Sequence, residues 1–452
     1  MPPTKDQRTS ALVLNVNIPQ GVTFHPGELI TGNVLRPSYI SSPNATVTIK
    51  LQGRTKAKVE KHEYRGGKRL HVVYYRSRFQ LFEVNPNETG RTLHQGPLHI
   101  ETYNDLSRAW NFSIQIPFFT GLDLSSPYNS ESTYVDMSPE AVAKHPLPPT
   151  FHPLHVNGFV EYYLEATLHY VNDKGTPQTD KSILVVPMGM ARLPAPIFDW
   201  KPKLETESAQ AVSYFLVPGT QKEKMGFRQK TKQFFQTTSV PTLKYKVAVS
   251  TPSVIQLNHA DCLPIYIKLT SDLEGSTDAL RKLPFKAVIT HMEIVAKHKT
   301  AIKGEGMNYI SGEGKIEEDT EPVELGLEKV WATLREPIEV QVAPTASSVN
   351  LSAKLDLRLR HDGLYMGATK VSDLKRDLVP SFKTYNITHE YIFHYTIKWK
   401  IVDCEEAITF NTATTILPEA MAAQPVVVQP VPVPVADVQE KAPKVEEVVV
   451  AV

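Results

Sequence analysis

The sequence predicts an all-β chain that forms two sandwich domains in tandem. Three observations lead to this prediction: apolar and polar side chains alternate along several segments, helical periodicity is rare, and the 452 residues include 35 prolines. A strand that is buried on one face points every second side chain inward, so the alternation is typical of half-buried strands. Frequent prolines favour the turns that separate such strands.

Two long segments show the alternation most clearly, and they suggest that the chain repeats itself. Apolar side chains occupy every second position in residues 160–170 and again in residues 391–401. A Pro-Thr-Phe triplet at 149–151 precedes the first segment, and a Pro-Ser-Phe triplet at 380–382 precedes the second. Echoes in the same order, separated by about two hundred residues, indicate a duplicated sandwich domain.

Changes in composition predict the domain boundaries. The first sandwich is expected over residues 10–195 and the second over 241–418. A Leu-Pro-Ala-Pro run occupies residues 193–196, and a polar stretch follows it up to residue 240. This composition predicts an interdomain linker over residues 196–240. Residues 419–452 are rich in valine, proline and alanine without long-range patterning, which predicts a disordered C-terminal tail.

Composition also restricts the compartment and the kind of partner. The formal net charge of +1 gives no general attraction to nucleic acid, so electrostatic recognition has to come from local clusters. Two cysteines, Cys262 and Cys404, fit a reducing compartment and provide no cysteine zinc site. We find no signal-peptide core and no stretch of roughly 18 to 20 apolar residues. We therefore expect a cytoplasmic protein whose association with the plasma membrane or endosomes is peripheral.

Several segments carry a family resemblance. The run Phe24-His-Pro-Gly-Glu-Leu-Ile-Thr-Gly-Asn-Val34 resembles the opening hairpin of arrestin-fold proteins, with a turn at Pro26-Gly27 and a bulge or close approach at Gly32. Further similar segments follow in the family's order: residues 47–53, 110–117, 147–151, 158–168, 245–269 and 379–391. The resemblance covers roughly residues 10 to 418, and it is strongest to the α-arrestin branch of the arrestin superfamily.

The resemblance implies a fold and a function. It implies two immunoglobulin-like β-sandwiches of the arrestin fold, with no catalytic residues and no cofactor. Such proteins are adaptors in signal transduction, endocytosis and protein transport: they bind cytosolic tails of transporters or receptors and link them to endocytic or ubiquitination machinery. The alternative is a constitutive scaffold or coat component with the same fold, similar to retromer-type arrestin relatives.

The sequence departs from the family pattern in two places. It has no Pro-Pro-x-Tyr motif for ubiquitin ligases, and its nearest approach, Pro148-Pro-Thr-Phe151, lacks the tyrosine. Any ligase is therefore expected to be recruited indirectly. Asn15 and Asn17 stand where receptor arrestins carry a phosphate-sensing lysine pair. Activation of that kind is not predicted.

A basic segment, residues 54–78, is the strongest candidate for a binding site. It carries nine Lys and Arg against Glu60 and Glu63, a local net charge of 9 − 2 = +7. We predict that it binds acidic or phosphorylated tails, or anionic membrane, through Arg54, Lys56, Lys58, Lys61, Arg65, Lys68 and Arg69. The alternative is a solvated hairpin whose charges only maintain solubility.

Two further charged runs suggest contacts. Five basic residues between Lys222 and Lys232 end beside Phe234-Phe235, which fits either a disordered linker or an amphipathic helix at a membrane. An acidic run at 313–324, read as a loop of the second domain, is a candidate to pair with a basic patch and hold the two domains together.

The histidines do not predict a metal site. His389 and His394 are five residues apart on a predicted strand, and an odd separation places them on opposite faces. His145, His152 and His155 are close in sequence, but the segment has no accompanying pattern of cysteine or acidic ligands. They are expected to be solvated loop histidines.

Overall fold

The chain is nearly all β, as predicted. The computed structural model describes residues 3–7, 11–17, 23–65, 69–83, 85, 88–101, 109–121, 133–142, 144–218, 240–305, 314–331, 334, 336–372 and 374–421. Met1–Ala420 pack as one compact unit. No helix in these ranges is long and apolar enough to cross a membrane.

The described part of this unit contains twenty-two strands and a few short helices. The strands are β1 (Val13–Val16), β2 (Leu29–Leu35), β3 (Ile40–Arg65), β4 (Arg69–Gln80), β5 (Gly90–Ile100), β6 (Trp110–Gln115), β7 (Gly158–Val171), β8 (Pro177–Val185), β9 (Pro202–Val212), β10 (Thr242–Pro252), β11 (Val254–Gln256), β12 (Tyr266–Asp272), β13 (Phe285–Gly304), β14 (Lys315–Glu324), β15 (Ile338–Val342), β16 (Val349–Asn350), β17 (Leu357–Arg360), β18 (Gly363–Met366), β19 (Thr369–Lys370), β20 (Phe382–Lys383), β21 (Ile387–Ile401) and β22 (Cys404–Leu417). The helices are α1 (Pro139–Val142), α2 (Glu328–Trp331) and α3 (Leu351–Leu355), with 3-10 turns at Tyr214–Leu216 and Asp278–Leu280.

The first half of the chain forms a sandwich of two antiparallel sheets. One sheet has the order β1-β2-β6, and the other has the order β4-β3-β7-β8 with β5 also paired to β3. Their inward side chains share one apolar core, which includes Ile30 and Ile114 from the first sheet and Ile49 and Leu164 from the second. The predicted alternation of residues 160–170 lies in β7.

The opening hairpin confirms two details read from the sequence. A turn occupies Pro26-Gly27, and Gly27 has a φ of +88°, a conformation that favours glycine. Gly32 lies where β2 is sandwiched between β1 and β6, and a Cβ at this position would lie 2.1 Å from the backbone oxygen of Asn15. Gly32 is therefore required for a close approach of the backbones.

The second half forms one large sheet that curls around its own core. The order is β11-β22-β21-β13-β15-β12-β10-β9, with β14, β16 and β20 as side branches, and β17-β18-β19 make a separate small sheet. Curling brings distant strands together across the core: the indole Nε1 of Trp399 in β21 donates a hydrogen bond of 3.0 Å to the hydroxyl of Tyr245 in β10. The second predicted alternation, residues 391–401, lies in β21.

The two halves share apolar packing. Ile302, Phe382, Tyr385 and Ile387 belong to the second half but pack in the core of the first. Gly158 sits at this contact, because a Cβ there would lie 2.8 Å from the Ile302 side chain. The boundaries placed at residues 195 and 241 stay a prediction, since the chain up to Ala420 packs as one unit.

Two segments differ from their sequence-based interpretation. Residues 202–212, predicted as linker, form β9 and pair along β10 from Thr242↔Val212 to Pro252↔Pro202. Most of the β9 side chains are exposed, so the strand has little apolar alternation to reveal it. Glu419, placed in the predicted tail, accepts a 2.9 Å hydrogen bond from Arg192 Nε. Residues 219–239 of the linker and 422–452 of the tail lie outside the described residues.

Candidate functional site

The basic segment forms an antiparallel hairpin whose two faces have different environments. Strands β3 and β4 pair from Arg54↔Gln80 to Arg65↔Arg69. One face, with Ala57 and Val59, is buried in the core of the first sandwich. Because side chains alternate along a strand, the basic residues at even positions point to the opposite face. We call this second face, made of Arg54, Lys56, Lys58, Arg76 and Arg78, the basic face.

Aromatic rings lie beneath several cations of the basic face. The guanidinium carbon of Arg54 lies 5.1 Å from the ring centroid of Tyr163. The Lys58 Nζ and the Arg76 guanidinium carbon lie 4.1 Å and 5.3 Å from the ring of Tyr74. Such cation–π contacts hold the long side chains in place without neutralising their charge.

Lys56 occupies the crowded centre of the basic face. Its side chain lies over Phe159, with Nζ 5.5 Å from the ring centroid, and the residue is only 8% exposed. Burial, together with the positive charges of Arg54 and Arg78, lowers the pKa of Lys56 to about 8. Burial is the larger cause, and the two neighbouring cations add to it.

Glu161 of β7 is the buried counter-charge of the basic face. It is 1% exposed and accepts a hydrogen bond from Arg54 Nε. Thr4 covers it from the N-terminal segment: the Thr4 backbone N–H and hydroxyl donate to the two carboxylate oxygens, each at 2.7 Å. Gln7 fixes this segment to β8 by exchanging backbone hydrogen bonds of 2.9 Å and 3.0 Å with Ile183. The five cations face Glu60 and Glu161, so the local charge is 5 − 2 = +3.

The structure places the predicted site residues in several environments. Arg54 is ion-paired and 13% exposed, and Lys56 is buried, so neither is the freely exposed docking charge that the segment's composition suggested. Lys58 pairs with Glu60 at 2.5 Å, and Lys61 is exposed.

The remaining predicted residues are at the hairpin end. Arg65 and Arg69 are register partners. Their side chains, and Lys68 altogether, lie outside the described residues. The sequence did not single out Arg76 and Arg78 from β4 as site residues, although the two-residue alternation places both on the basic face.

The other charged runs have different outcomes. The basic run at 222–232 and Phe234-Phe235 lie outside the described residues. The acidic run, read as a loop, is instead largely strand β14, which pairs with β13 along ten residues from Lys315 to Glu324. Burial raises the pKa of Glu317, and the positive charge of Lys61 partly opposes this rise, so β14 lies near the hairpin.

The histidines of β21 alternate between the two faces of the strand as predicted, but the contacts of the histidines could not be predicted from the sequence. His389 and His394 lie on opposite faces of β21, as predicted: His389 is buried, whereas His394 bonds to Asn411 near the surface. His145 contacts the Asp136 carbonyl, and His152 stacks on Phe159 with ring centroids 5.7 Å apart.

His155 instead reaches the second half of the chain. Its Nε2 lies 2.5 Å from Glu321 Oε1 of β14. The three histidines that are neighbours in sequence therefore have three separate environments.

No protein-family model and no curated sequence matches the chain. The resemblance to the arrestin superfamily therefore rests on the residues quoted above.

Proposed function

We propose that the chain is a non-enzymatic, arrestin-like adaptor whose basic face binds acidic or phosphorylated cytosolic tails of transporters or receptors. The observation that carries this proposal is the crowding of cations on one face of the hairpin, where Arg78 is the register partner of Lys56 and Arg76 is that of Lys58. An added anion stabilises cations that repel one another. A carboxylate or phosphate group of a partner therefore binds favourably at the basic face.

The position of the basic face suits an extended peptide. Strand β4 is an edge of its sheet, and Tyr74 and Val72 on it are about 40% exposed. The Arg76 N–H donates to the Glu305 carbonyl at 2.9 Å, so the second half of the chain already occupies the edge of β4 at this residue. A tail peptide would therefore be bound through the side-chain cations of the basic face and the exposed ring of Tyr74.

The ordered resemblance supports the adaptor class and the link to endocytic or ubiquitination machinery. The chain has no Pro-Pro-x-Tyr motif, so we propose that a ligase joins through another protein. The cargo itself is set by side-chain contacts that charge does not specify.

A binding experiment with a matched control tests the proposal. Lys58→Gln, Arg76→Gln and Arg78→Gln in one variant should weaken binding of an acidic or phosphorylated peptide by at least about tenfold, since each well-placed cation contributes on the order of 1 kcal/mol at low salt. The control replaces three exposed lysines elsewhere: Lys246, Lys286 and Lys398. Fluorescence anisotropy at several salt concentrations measures both variants.

The outcomes separate the two candidate functions. Binding that depends on the basic face should also fall steeply with salt, because exposed charges are screened over about 10 Å at 0.1 M. If peptide binding weakened equally in both variants, the effect would come from the net charge of the protein and not from the basic face. A stable, stoichiometric soluble complex that survives salt and the basic-face substitutions would favour the scaffold or coat component instead.

A further inference from the structure

A second cluster of ligating side chains lies away from the basic face, where the two halves of the chain meet. It consists of His155, in the segment before β7, and Asp319 and Glu321 on β14. Their ligand atoms all lie within 4.8 Å of one another. His155 is 58% exposed, and the two carboxylates are partly buried.

Strand geometry brings the two carboxylates together. Asp319 and Glu321 are two residues apart on β14, so both side chains point to the same face of the sheet. The register pairs Glu321 with His298 and Asp319 with Thr300 of β13. The face is therefore preformed by two paired strands, and His155 approaches it from the other half of the chain.

Glu321 lies between two imidazoles. Its Oε1 lies 2.5 Å from His155 Nε2, and its Oε2 lies 3.1 Å from His298 Nε2. An ionised carboxylate can only accept, so the His298 Nε2–H donates and fixes the orientation of Glu321. Asp319 makes no hydrogen bond or ion pair with any residue of the described ranges. Within the described ranges, the cluster thus has a carboxylate without a protein hydrogen-bond donor.

We propose that His155, Asp319 and Glu321 bind one divalent first-row transition-metal ion, zinc in preference to calcium or magnesium. One imidazole and two carboxylates match the nitrogen and oxygen ligands of zinc, whereas calcium and magnesium take oxygen ligands almost alone. Three protein ligands leave the fourth position of a tetrahedral ion for water. His298 acts as the outer partner that holds Glu321 in place.

A plain His155–Glu321 ion pair would explain the 2.5 Å contact but not the third group. Asp319 adds a second negative charge beside the pair, which destabilises the cluster unless a cation is present. A bound ion would link the segment that leads into β7 to strand β14, and so would fasten the first half of the chain to the second. This role is independent of the proposed peptide binding.

Calorimetry on the full chain tests the site directly. The protein is stripped with a chelator and titrated with zinc chloride. Loss of a residue that only orients a ligand weakens metal binding by about 10- to 100-fold. His155→Ala and Asp319→Asn each remove a ligand, so each should weaken zinc binding by more than that. His99→Ala is the matched control, because His99 forms an exposed pair with Glu101 at 3.2 Å without a third ligand.

The predicted result is one zinc ion per chain, unchanged by His99→Ala and lost in the two site variants. Zinc should raise the midpoint of thermal unfolding of the unmodified chain and of His99→Ala but not of His155→Ala. Cobalt(II) should give visible absorption bands that His155→Ala removes. Equal zinc affinity in the unmodified chain and in His155→Ala, or binding of calcium as tight as zinc, would overturn the proposal.

Discussion

Thr55 and Asn386 lie 331 residues apart in the chain, and their side chains are joined by a buried hydrogen bond of 2.7 Å from the Thr55 hydroxyl to the Asn386 amide oxygen. The Asn386 amide nitrogen donates in turn to Ser77 Oγ at 2.8 Å. Asn386, from the second half of the chain, thus forms hydrogen bonds with both strands of the basic hairpin. All three residues are nearly inaccessible to solvent.

Replacing Asn386 should therefore loosen the contact between the halves. Asn386→Ala leaves the Thr55 hydroxyl buried without its acceptor and opens a small cavity, so we expect a loss of about 2–3 kcal/mol in the free energy of unfolding. Urea denaturation measures the loss. Asn411→Ala removes an exposed hydrogen bond to His394 and should cost less than about 1 kcal/mol. Equal losses in the two variants would show that burial of the polar contact is irrelevant.

Lys56 should make stability depend on alkaline pH. Its pKa is lowered to about 8 in the folded chain by burial and by Arg54 and Arg78. Between about 8 and the unperturbed 10.5 the unfolded chain holds the proton more tightly, so stability rises with pH in this window. Below it, the charged amine opposes folding.

Lys56→Met keeps the apolar stem and removes that charge. We expect it to be more stable than the unmodified protein at pH 7, on the order of 1–3 kcal/mol at most, with the difference shrinking towards pH 10. Lys398→Met, at an exposed position, should show no such pH dependence. A difference that stays constant from pH 7 to pH 10 would contradict the assignment.

Glu161 should act on both stability and binding. Glu161→Gln leaves Arg54 without its counter-charge in a buried position, which should cost about 3 kcal/mol of the free energy of unfolding. The same variant increases the positive charge of the basic face and should tighten binding of an acidic peptide. Glu165→Gln is the control, because its pair with the half-exposed Lys181 should contribute less than about 1 kcal/mol. Weaker peptide binding in a folded Glu161→Gln would argue against the basic face as the docking surface.

His389 should make the protein sensitive to acid. Burial, with a smaller effect of His298, lowers its pKa to about 3, and it stays neutral between Thr300 and Tyr391, with hydrogen bonds of 3.0 Å and 3.1 Å. As pH falls below about 6.5 the unfolded chain takes up the proton first. Stability should then fall by up to about 1.4 kcal/mol per pH unit.

Variants of the two strand histidines separate this effect from general acid unfolding. His389→Gln should show a shallower fall of stability between pH 6.5 and pH 4.5. His394→Gln, on the opposite face of β21, should keep the slope of the unmodified protein. Parallel slopes in all three proteins would exclude His389 as the acid-sensitive group.

Phe151 tests whether the incomplete Pro-Pro-x-Tyr segment is available to a partner. Its ring lies 5.1 Å from Phe382 and 4.8 Å from His389 in a buried contact. Phe151→Tyr would complete the motif, but the added hydroxyl should cost about 1–3 kcal/mol inside the protein. An isolated WW domain should bind the variant weakly at best, as anisotropy can measure. Tight binding would show that the segment opens readily.

The face of a strand to which each side chain points could be predicted from the sequence, because it depends only on neighbours in the chain. The opposite faces of His389 and His394 follow from a two-residue period, and the same rule divides the basic segment into buried and charged faces. The close approach at Gly32 was predicted as well, since a glycine within a strand pattern indicates a bulge or a close approach of backbones. The exposed strand β9 was missed, because alternation marks a strand only when one of its faces is buried.

By itself, then, the sequence determined the all-β class, the long strands β7 and β21 and the place of the basic hairpin, since each depends on side-chain alternation over a few consecutive residues. Only the tertiary structure decided which charges stay exposed. Lys56 is buried because Phe159 of β7 packs against it, and Glu161 finds Thr4 from the N-terminal segment. The meeting of His155 with Glu321 likewise depends on how the two halves dock. Contacts of this kind join residues far apart in the chain, and no local pattern encodes them.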